Sequence, residues 1–123
     1  MPLADHLGIE TVASAKEEVR MRMPWRAELC TAQGVLHGGA LMALGDSSGA
    51  LCAVNNLPEG AWTSTIESKT NFFRAVREGY AEAVSTPLHV GRTTIVVQTD
   101  IFDQSGKRVA RVSQTQAVLK PSE

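Results

Sequence analysis

One long stretch of the sequence has the hydrophobic spacing of an α-helix. Within Val35–Val54 the apolar residues recur at helical intervals, as in Leu41, Leu44 and Leu51. Glycine, alanine and serine fill most of the other positions, so the surface of this helix is small on nearly every side. An interior glycine costs about 1 kcal/mol relative to alanine. Keeping several of them indicates that another element approaches the helix closely.

The residues before the central helix predict short elements. Residues 2–7 are expected to form a brief opening helix, and Ile9–Ala15 begins an extended segment. Val19–Met23 alternates apolar and basic residues, as a half-exposed strand does, and Pro24 ends it. Residues 25–33 predict irregular structure or a short helical turn.

Strand patterns fill the chain after the central helix, which is expected to stop within Asn55–Gly60 because those residues cannot continue it. Turn residues at Gly79, Gly91 and Asp103–Gly106 separate the strands. The connections are too short for helical crossovers, so the strands must be antiparallel. We predict an α+β fold in which about five or six antiparallel strands wrap one central helix. The later strands are Trp62–Phe73, Tyr80–Val90, Thr93–Phe102 and Arg108–Leu119.

Length and charge limit the classes of function. At 123 residues the chain is expected to be a single domain, residues 1–123. Its 12 basic and 13 acidic residues argue against a partner held by bulk electrostatics, such as nucleic acid or an anionic membrane. A sheet covered by one helix leaves a free edge, which invites pairing with a second copy. We therefore expect at least a homodimer.

The cysteines and the N-terminal residues narrow the picture further. Cys30 and Cys52 are too isolated for a disulfide framework or a metal cluster, and Cys52 is expected in the core. The sequence has no phosphate-binding glycine motif, so we expect neither metal nor cofactor. It shows no leader segment and no run of the ~20 apolar residues that span a bilayer. A cytoplasmic protein is expected.

Asp46 is the single acid of the central helix. Its neighbours three and four positions away are Met42, Ala43, Gly49 and Ala50, which are all uncharged. A carboxylate in such surroundings is hydrogen-bonded, paired, protonated or functional. The helix alone leaves open whether Asp46 bonds to nearby backbone or performs chemistry.

Several motifs together resemble a known family. Gly34-Val35-Leu36-His37-Gly38-Gly39, followed by Leu44-Gly45-Asp46, is similar to the signature of the hotdog-fold acyl-CoA thioesterases. The similarity is strongest to the phenylacetate-pathway (PaaI-like) type and its 4-hydroxybenzoyl-CoA thioesterase relatives. Later landmarks occur in the family's order along nearly the whole chain: Asn71-Phe72-Phe73-Arg74, His89-Val90-Gly91-Arg92, Asp103 to Gly106 and a closing strand from Val109.

The resemblance implies an enzyme that hydrolyses acyl-CoA, or an acyl-carrier-protein thioester, at sites between subunits of a homodimer, commonly doubled to a homotetramer. It places the Gly38 backbone N–H on the thioester carbonyl, where a helix N-terminus favours the developing negative charge. Asp46 of the partner subunit would attack the thioester or activate water. The sequence leaves both roles open.

Other site positions follow from the same resemblance. His37 would support the loop and water geometry or, alternatively, take part directly, and Thr65 falls where relatives place a hydroxyl that positions water. Thr31 stands where relatives usually carry Asn or Gln. Gly39, Gln33, Arg74 and Arg92 are expected to contact the substrate, with the two arginines on coenzyme A phosphates.

Two other classes of function compete with hydrolysis. The hydroxyl of Thr31 in place of an amide favours a non-catalytic acyl-CoA binding or sensing module, whereas the retained Asp46 opposes it. A hotdog dehydratase or hydratase would need a histidine and an acid on the acyl chain, and His37 lies too near the helix start for that. The residues do not specify the acyl group.

Overall fold

A computed structural model describes residues 1–121 as a six-stranded sheet with one long helix across it. All strand pairs are antiparallel, and the strand order is β1-β2-β4-β5-β6-β3. The predicted α+β architecture is confirmed. No helix within residues 1–121 combines the length and apolar character needed to cross a membrane. The elements are α1 (Pro2–His6), β1 (Glu10–Ser14), β2 (Val19–Pro24), a 3-10 turn (Ala27–Leu29), α2 (Gly38–Val54), β3 (Trp62–Phe72), β4 (Tyr80–Val90), β5 (Thr94–Asp103) and β6 (Arg108–Leu119).

The long helix starts later than the sequence pattern predicts. Its first helical residue is Gly38, three residues after Val35. The Leu36 N–H donates to the carbonyl of Val76 at 2.9 Å, and Leu36 forms an isolated antiparallel bridge with Cys30. These contacts hold the segment before Gly38 in an extended conformation, so Leu36 belongs to the core without being part of the helix.

The core lies between α2 and the concave face of the sheet. Alternation places every second residue of β2 and β5 inward, and these positions are buried. The helix packs against β2, β3, β4, β5 and β6. Its buried side chains include Leu41, Leu44 and Cys52, which confirms the expected place of Cys52.

The strand β3 is one of the two edge strands of the sheet described by residues 1–121, the other being β1. Within residues 1–121 it pairs only with β6, from Trp62 opposite Leu119 to Phe72 opposite Ala110. Most of its residues are exposed on both faces, and Ile66 is 63% exposed. This edge keeps the pairing groups of an eleven-residue strand open to another chain.

Candidate functional site

The first turn of α2 presents one free backbone donor. His37 is the N-cap, and its Nδ1 accepts a hydrogen bond from the Gly39 N–H at 2.8 Å. The N–H groups of Ala40 and Leu41 both donate to the His37 carbonyl, at 2.9 and 3.1 Å. Among residues 1–121 the Gly38 N–H has no acceptor. It lies at the positive end of a 17-residue helix, where a negatively charged oxygen is favoured.

Gly38 is closely packed on its Cα side. A Cβ at this position would lie 3.3 Å from Cζ of Phe72, which belongs to the end of β3. The Phe72 ring therefore covers the Cα of Gly38 and is itself 47% exposed. A side chain here would require the Phe72 ring to shift by a few tenths of an ångström, whereas glycine leaves the approach to the N–H open.

An open groove of about 370 Å³ lies beside this turn. It reaches His37 and Gly39 and passes between α1, the 3-10 turn and the start of α2. Its walls are mainly apolar, so it suits an uncharged organic group. The apolar lining residues are Leu3, Leu7, Leu29, Cys30, Ala40 and Ala43.

The Asp46 side chain is exposed, and its carboxylate accepts hydrogen bonds from side chains of β3 and β6. Its Oδ1 accepts a hydrogen bond from Nε2 of Gln114 at 2.8 Å and lies 3.5 Å from the Thr65 hydroxyl. Gln116 in turn donates to Thr65 Oγ1 at 2.8 Å. Within residues 1–121 the Asp46 carboxylate accepts from these side chains and from no backbone N–H, so the bond to nearby backbone, one of the two alternatives, is not observed. The structure places the Thr65 hydroxyl beside Asp46, and its expected role in positioning water stays a prediction.

Sequence reasoning missed the two glutamines. Gln114 and Gln116 are each 1% exposed, on the same face of β6 as the buried Val112. Polar residues that continue the apolar phase of a strand are a recognisable signal, because buried polar groups need partners. The pattern could have identified the pair, but not the acid that Gln114 contacts.

The glycines flanking Asp46 explain how β6 comes so near. A Cβ on Gly45 would lie 2.8 Å from Cγ2 of Val112, and a Cβ on Gly49 would collide with the carboxamide of Gln114. The close approach predicted from the small helix surface is confirmed. It is what allows Gln114 to reach past the helix backbone to Asp46.

Gly38 and Asp46 of one chain lie far apart. They are eight positions apart in α2, which places them about 12 Å apart along the helix axis at 1.5 Å per residue. One subunit therefore does not bring the free N–H and the carboxylate to a single reacting bond. A second copy of the chain would have to supply one of the two groups.

Thr31 and Gln33 form the turn before the helix. Thr31 Oγ1 accepts a hydrogen bond from the Gln33 N–H at 3.3 Å, and the Thr31 N–H donates to the Val35 carbonyl at 2.8 Å. The Thr31 hydroxyl is thus engaged with the turn, while the Gln33 side chain is exposed. Of the two, Gln33 has the side chain that is exposed to solvent.

Arg74 and Arg92 are exposed at opposite ends of the sheet. Arg74 follows the end of β3, which lies at the same end of the sheet as Ile101 of β5. Arg92 lies just before β5, at the opposite end, near Ile95. Six residues of extended strand separate these ends by about 20 Å. One subunit does not bring the two arginines together. Two other basic residues of this sheet, Arg108 and Arg111, are paired with Asp100 at 3.2 and 2.8 Å.

The titrating groups with clear shifts lie away from the helix start. Burial raises the pKa of the Cys52 thiol to about 11, so this cysteine is not a nucleophile at neutral pH. Hydrogen bonds from the Ser105 side chain and from backbone N–H groups lower the pKa of Asp103, which organises the β5–β6 turn. No group of three or more His, Cys, Asp or Glu side chains in residues 1–121 is arranged to hold a metal ion.

Comparison with known proteins gives consistent matches. The thioesterase superfamily model matches residues 33–110. The ComA2 protein of Bacillus subtilis (strain 168) is 33% identical over 119 residues, which are 96% of this chain and 94% of that protein. The 1,4-dihydroxy-2-naphthoyl-CoA hydrolase of Escherichia coli (strain K12) is 30% identical over 116 residues, or 94% and 79% of the two chains. The crystal structure of the thioesterase HI1161 from Haemophilus influenzae superposes with a TM-score of 0.93 and 32% identity, covering 98% of this chain and 85% of that one.

Proposed function

The chain belongs to the thioesterase superfamily, has its hotdog fold and is a thioester hydrolase, and we propose that its substrates are acyl-CoA thioesters. Hydrolysis would release a free carboxylic acid and coenzyme A. The observation that carries this proposal is the Gly38 N–H, left without an acceptor among the described residues at the start of a 17-residue helix. A thioester carbonyl oxygen gains negative charge as the tetrahedral intermediate forms, and such a donor stabilises that charge.

We place the acyl group in the groove beside the same turn. A carbonyl bonded to the Gly38 N–H has the mouth of this groove within reach, because the groove is lined by the adjacent His37 and Gly39. The apolar walls favour an uncharged aromatic or aliphatic acyl group. The E. coli relative is named for an aromatic acyl-CoA, which makes aromatic thioesters the first choice for assay.

The reacting acid in this proposal is Asp46 from a second subunit. The separation of about 12 Å within one helix rules out a site built from one chain's Gly38 and Asp46. Pairing of two exposed β3 edges would form a homodimer with one continuous sheet, and two such dimers would form a tetramer. As general base Asp46 would take a proton from the attacking water and pass it to the departing coenzyme A thiolate. As nucleophile it would form an acyl-enzyme anhydride as the thiolate leaves, and water would then hydrolyse the anhydride to the free acid and give up the proton that the thiolate takes.

The remaining predicted site residues take supporting roles. His37 caps the helix that carries Gly38, and Gly39 gives its N–H to that cap. Thr65 donates toward Asp46, and Thr31 shapes the turn that presents Gln33. Because Arg74 and Arg92 of one chain are about 20 Å apart, a single coenzyme A would meet Arg74 and Arg92 from different subunits or only one of them.

Thiol release from a panel of aromatic and aliphatic acyl-CoAs tests this function. The comparison is between wild type and Asp46→Asn, since Asn keeps an oxygen that accepts from Gln114 and so preserves the fold. We expect turnover in the wild type and a loss of about 10²–10⁴-fold in kcat in the variant. Size-exclusion chromatography and circular dichroism confirm equal assembly and folding. Binding of acyl-CoA by the wild type without any thiol release would contradict the proposal and favour the non-catalytic binding module.

A further inference from the structure

Gln114 occupies a position normally filled by an apolar side chain. It is 1% exposed, on the helix-facing side of β6 next to Val112. Its Nε2 donates to Asp46 Oδ1 at 2.8 Å, while its Oε1 is buried with no hydrogen-bond partner among the described residues. Burying a carboxamide with an unsatisfied oxygen is unfavourable for folding. A position that keeps this costly arrangement is a candidate for function.

A second glutamine, Gln116, determines which groups donate and which accept in the hydrogen bonds that lead to Asp46. The hydroxyl of Thr63 lies 3.0 Å from Oε1 of Gln116, which turns the amide nitrogen of Gln116 toward Thr65 Oγ1 at 2.8 Å. Thr65 therefore accepts from Gln116 and has its own proton free for Asp46, 3.5 Å away. The hydrogen bonds therefore lead from Gln116 through Thr65 to the carboxylate, and the Thr63 hydroxyl also lies 2.9 Å from the Ala117 carbonyl.

The two hydrogen bonds that Asp46 itself accepts both reach one oxygen of its carboxylate. The partners of Oδ1 are the Gln114 amide and the Thr65 hydroxyl, whereas Oδ2 has no hydrogen-bond partner within residues 1–121. Both donors are neutral, and Asp46 forms no ion pair with a described lysine or arginine. A neutral donor orients a carboxylate without cancelling its charge, which an adjacent guanidinium would do.

We propose that Gln114 is a positioning residue for thioester hydrolysis. By holding Oδ1 of Asp46 it keeps Oδ2 directed at the water or carbonyl carbon that reacts. Gly49 is needed for this arrangement, since a side chain there would displace the Gln114 carboxamide. The inference rests on the proposed role of Asp46 and adds to it the choice of reacting oxygen.

Gln114→Met tests this inference with a side chain of similar length and no donor. We expect kcat to fall about 10- to 100-fold, because a misplaced reacting group costs rates of this order, with KM little changed. The urea midpoint should not decrease, since the substitution also removes the unsatisfied Oε1. A purely structural role would instead lower the midpoint and leave kcat of the folded protein unchanged.

Gln116→Met is the matched control. It has the same residue type, strand face and burial, but it bonds to Thr65 and Thr63 rather than to Asp46. We expect a smaller loss of kcat than for Gln114→Met. Equal losses in both variants would contradict a specific role for Gln114.

Gln114→Glu provides a readout that does not depend on the Met variant folding. When the introduced carboxyl group is protonated it can still donate to Oδ1 of Asp46, whereas its ionised form cannot donate and repels the carboxylate. The ratio of variant to wild-type kcat should therefore fall as the pH rises from about 5 to about 8. A ratio that is flat with pH would overturn the inference.

The outcomes separate this inference from the proposed function. If Asp46→Asn is inactive while Gln114→Met keeps wild-type kcat, Gln114 is not a positioning residue and the thioesterase proposal stands. If the wild type releases no thiol from any acyl-CoA, the proposed function fails and the role of Gln114 fails with it.

Discussion

The first turn of α2 and the surroundings of Asp46 are held by contacts of very different range. The His37 cap joins two residues that are two positions apart, whereas Gln114 and Asp46 are 68 positions apart. A local cap forms with the helix itself, and the Asp46 contact forms only after β6 has taken its place in the sheet. The cap of the carbonyl-binding half thus needs only His37 and Gly39, whereas the acid half needs the register of the sheet.

The largest effect is expected from removing the free Gly38 N–H of the carbonyl-binding half. Gly38→Pro deletes the N–H at the first helical position, where proline is tolerated. His37 has a ψ of 136°, which is compatible with a following proline. We expect kcat for thiol release to fall by about 10²–10³-fold, as for loss of one oxyanion donor.

Gly38→Ala is the control for this prediction. It places the same Cβ against Phe72 at 3.3 Å but keeps the N–H. The alanine variant should lose far less activity than the proline variant. Similar rates for both would show that packing against Phe72, rather than the donor, controls the reaction.

The next largest effect is expected from a substitution in the acid half. Gly49→Ala places a methyl group against the Gln114 carboxamide. We expect the free energy of unfolding to fall by about 1–3 kcal/mol from overpacking, in spite of the better helix propensity of alanine. Urea denaturation at a fixed protein concentration measures it.

A double variant isolates the contact. Combined with Gln114→Ala, the Gly49→Ala substitution should cost less than it does alone, because the colliding carboxamide is gone. Strictly additive losses in the cycle would mean that Gly49 and Gln114 do not interact.

A smaller effect is expected at the helix cap. His37→Ala should lower the free energy of unfolding by about 1 kcal/mol through loss of the bond to the Gly39 N–H. His37→Asn supplies an oxygen acceptor in place of the imidazole nitrogen and should restore both stability and thiol release. An asparagine variant that is fully stable but inactive would assign the imidazole a direct part in the reaction.

The smallest expected effect is a difference in thiol reactivity between the two cysteines. Cys30 lines the groove and Cys52 lies in the core. With its pKa raised to about 11, the buried Cys52 should not react with a thiol reagent at about pH 8 until the protein unfolds, whereas the half-buried Cys30 reacts in the folded state. Cys30→Ser and Cys52→Ser assign the signals. Simultaneous reaction of both thiols would contradict this.

The same shift has a consequence for stability at high pH. The ordinary pKa of this thiol is 9.0, below its folded value. The unfolded chain therefore loses the Cys52 proton first, and the contribution of this group to stability decreases as the pH rises from 9.0 toward about 11. Below that window the contribution is constant.

Local patterns predicted the elements well because the alternation of each strand lies in its own residues. The predicted bounds of Tyr80–Val90 and Arg108–Leu119 are those observed. The helix start was wrong by three residues, since Leu36 is held extended by Val76 on a distant loop. No local pattern contains that contact.

The site divides along the same line. The motif around His37 and Gly38 was visible in the sequence, and the resemblance named Thr65 as a hydroxyl that positions water, which stays a prediction. The contact of Gln114 with Asp46 was not predictable, because it depends on the register of β6 against the helix. The roles of Thr31, Gln33, Arg74 and Arg92 stay predictions, as does the assignment of residues 1–123 to one domain.

The position of β3 at the far side of β6 has a consequence for synthesis of the chain. Trp62 pairs with Leu119, so β3 leaves the ribosome well before its only partner strand within residues 1–121. At about 5–20 residues per second, a strand bearing exposed Trp62, Ile66 and Phe72 waits for several seconds with no hydrogen-bonded neighbour. Its charged residues Glu67 and Lys69 are well placed to discourage aggregation during that delay.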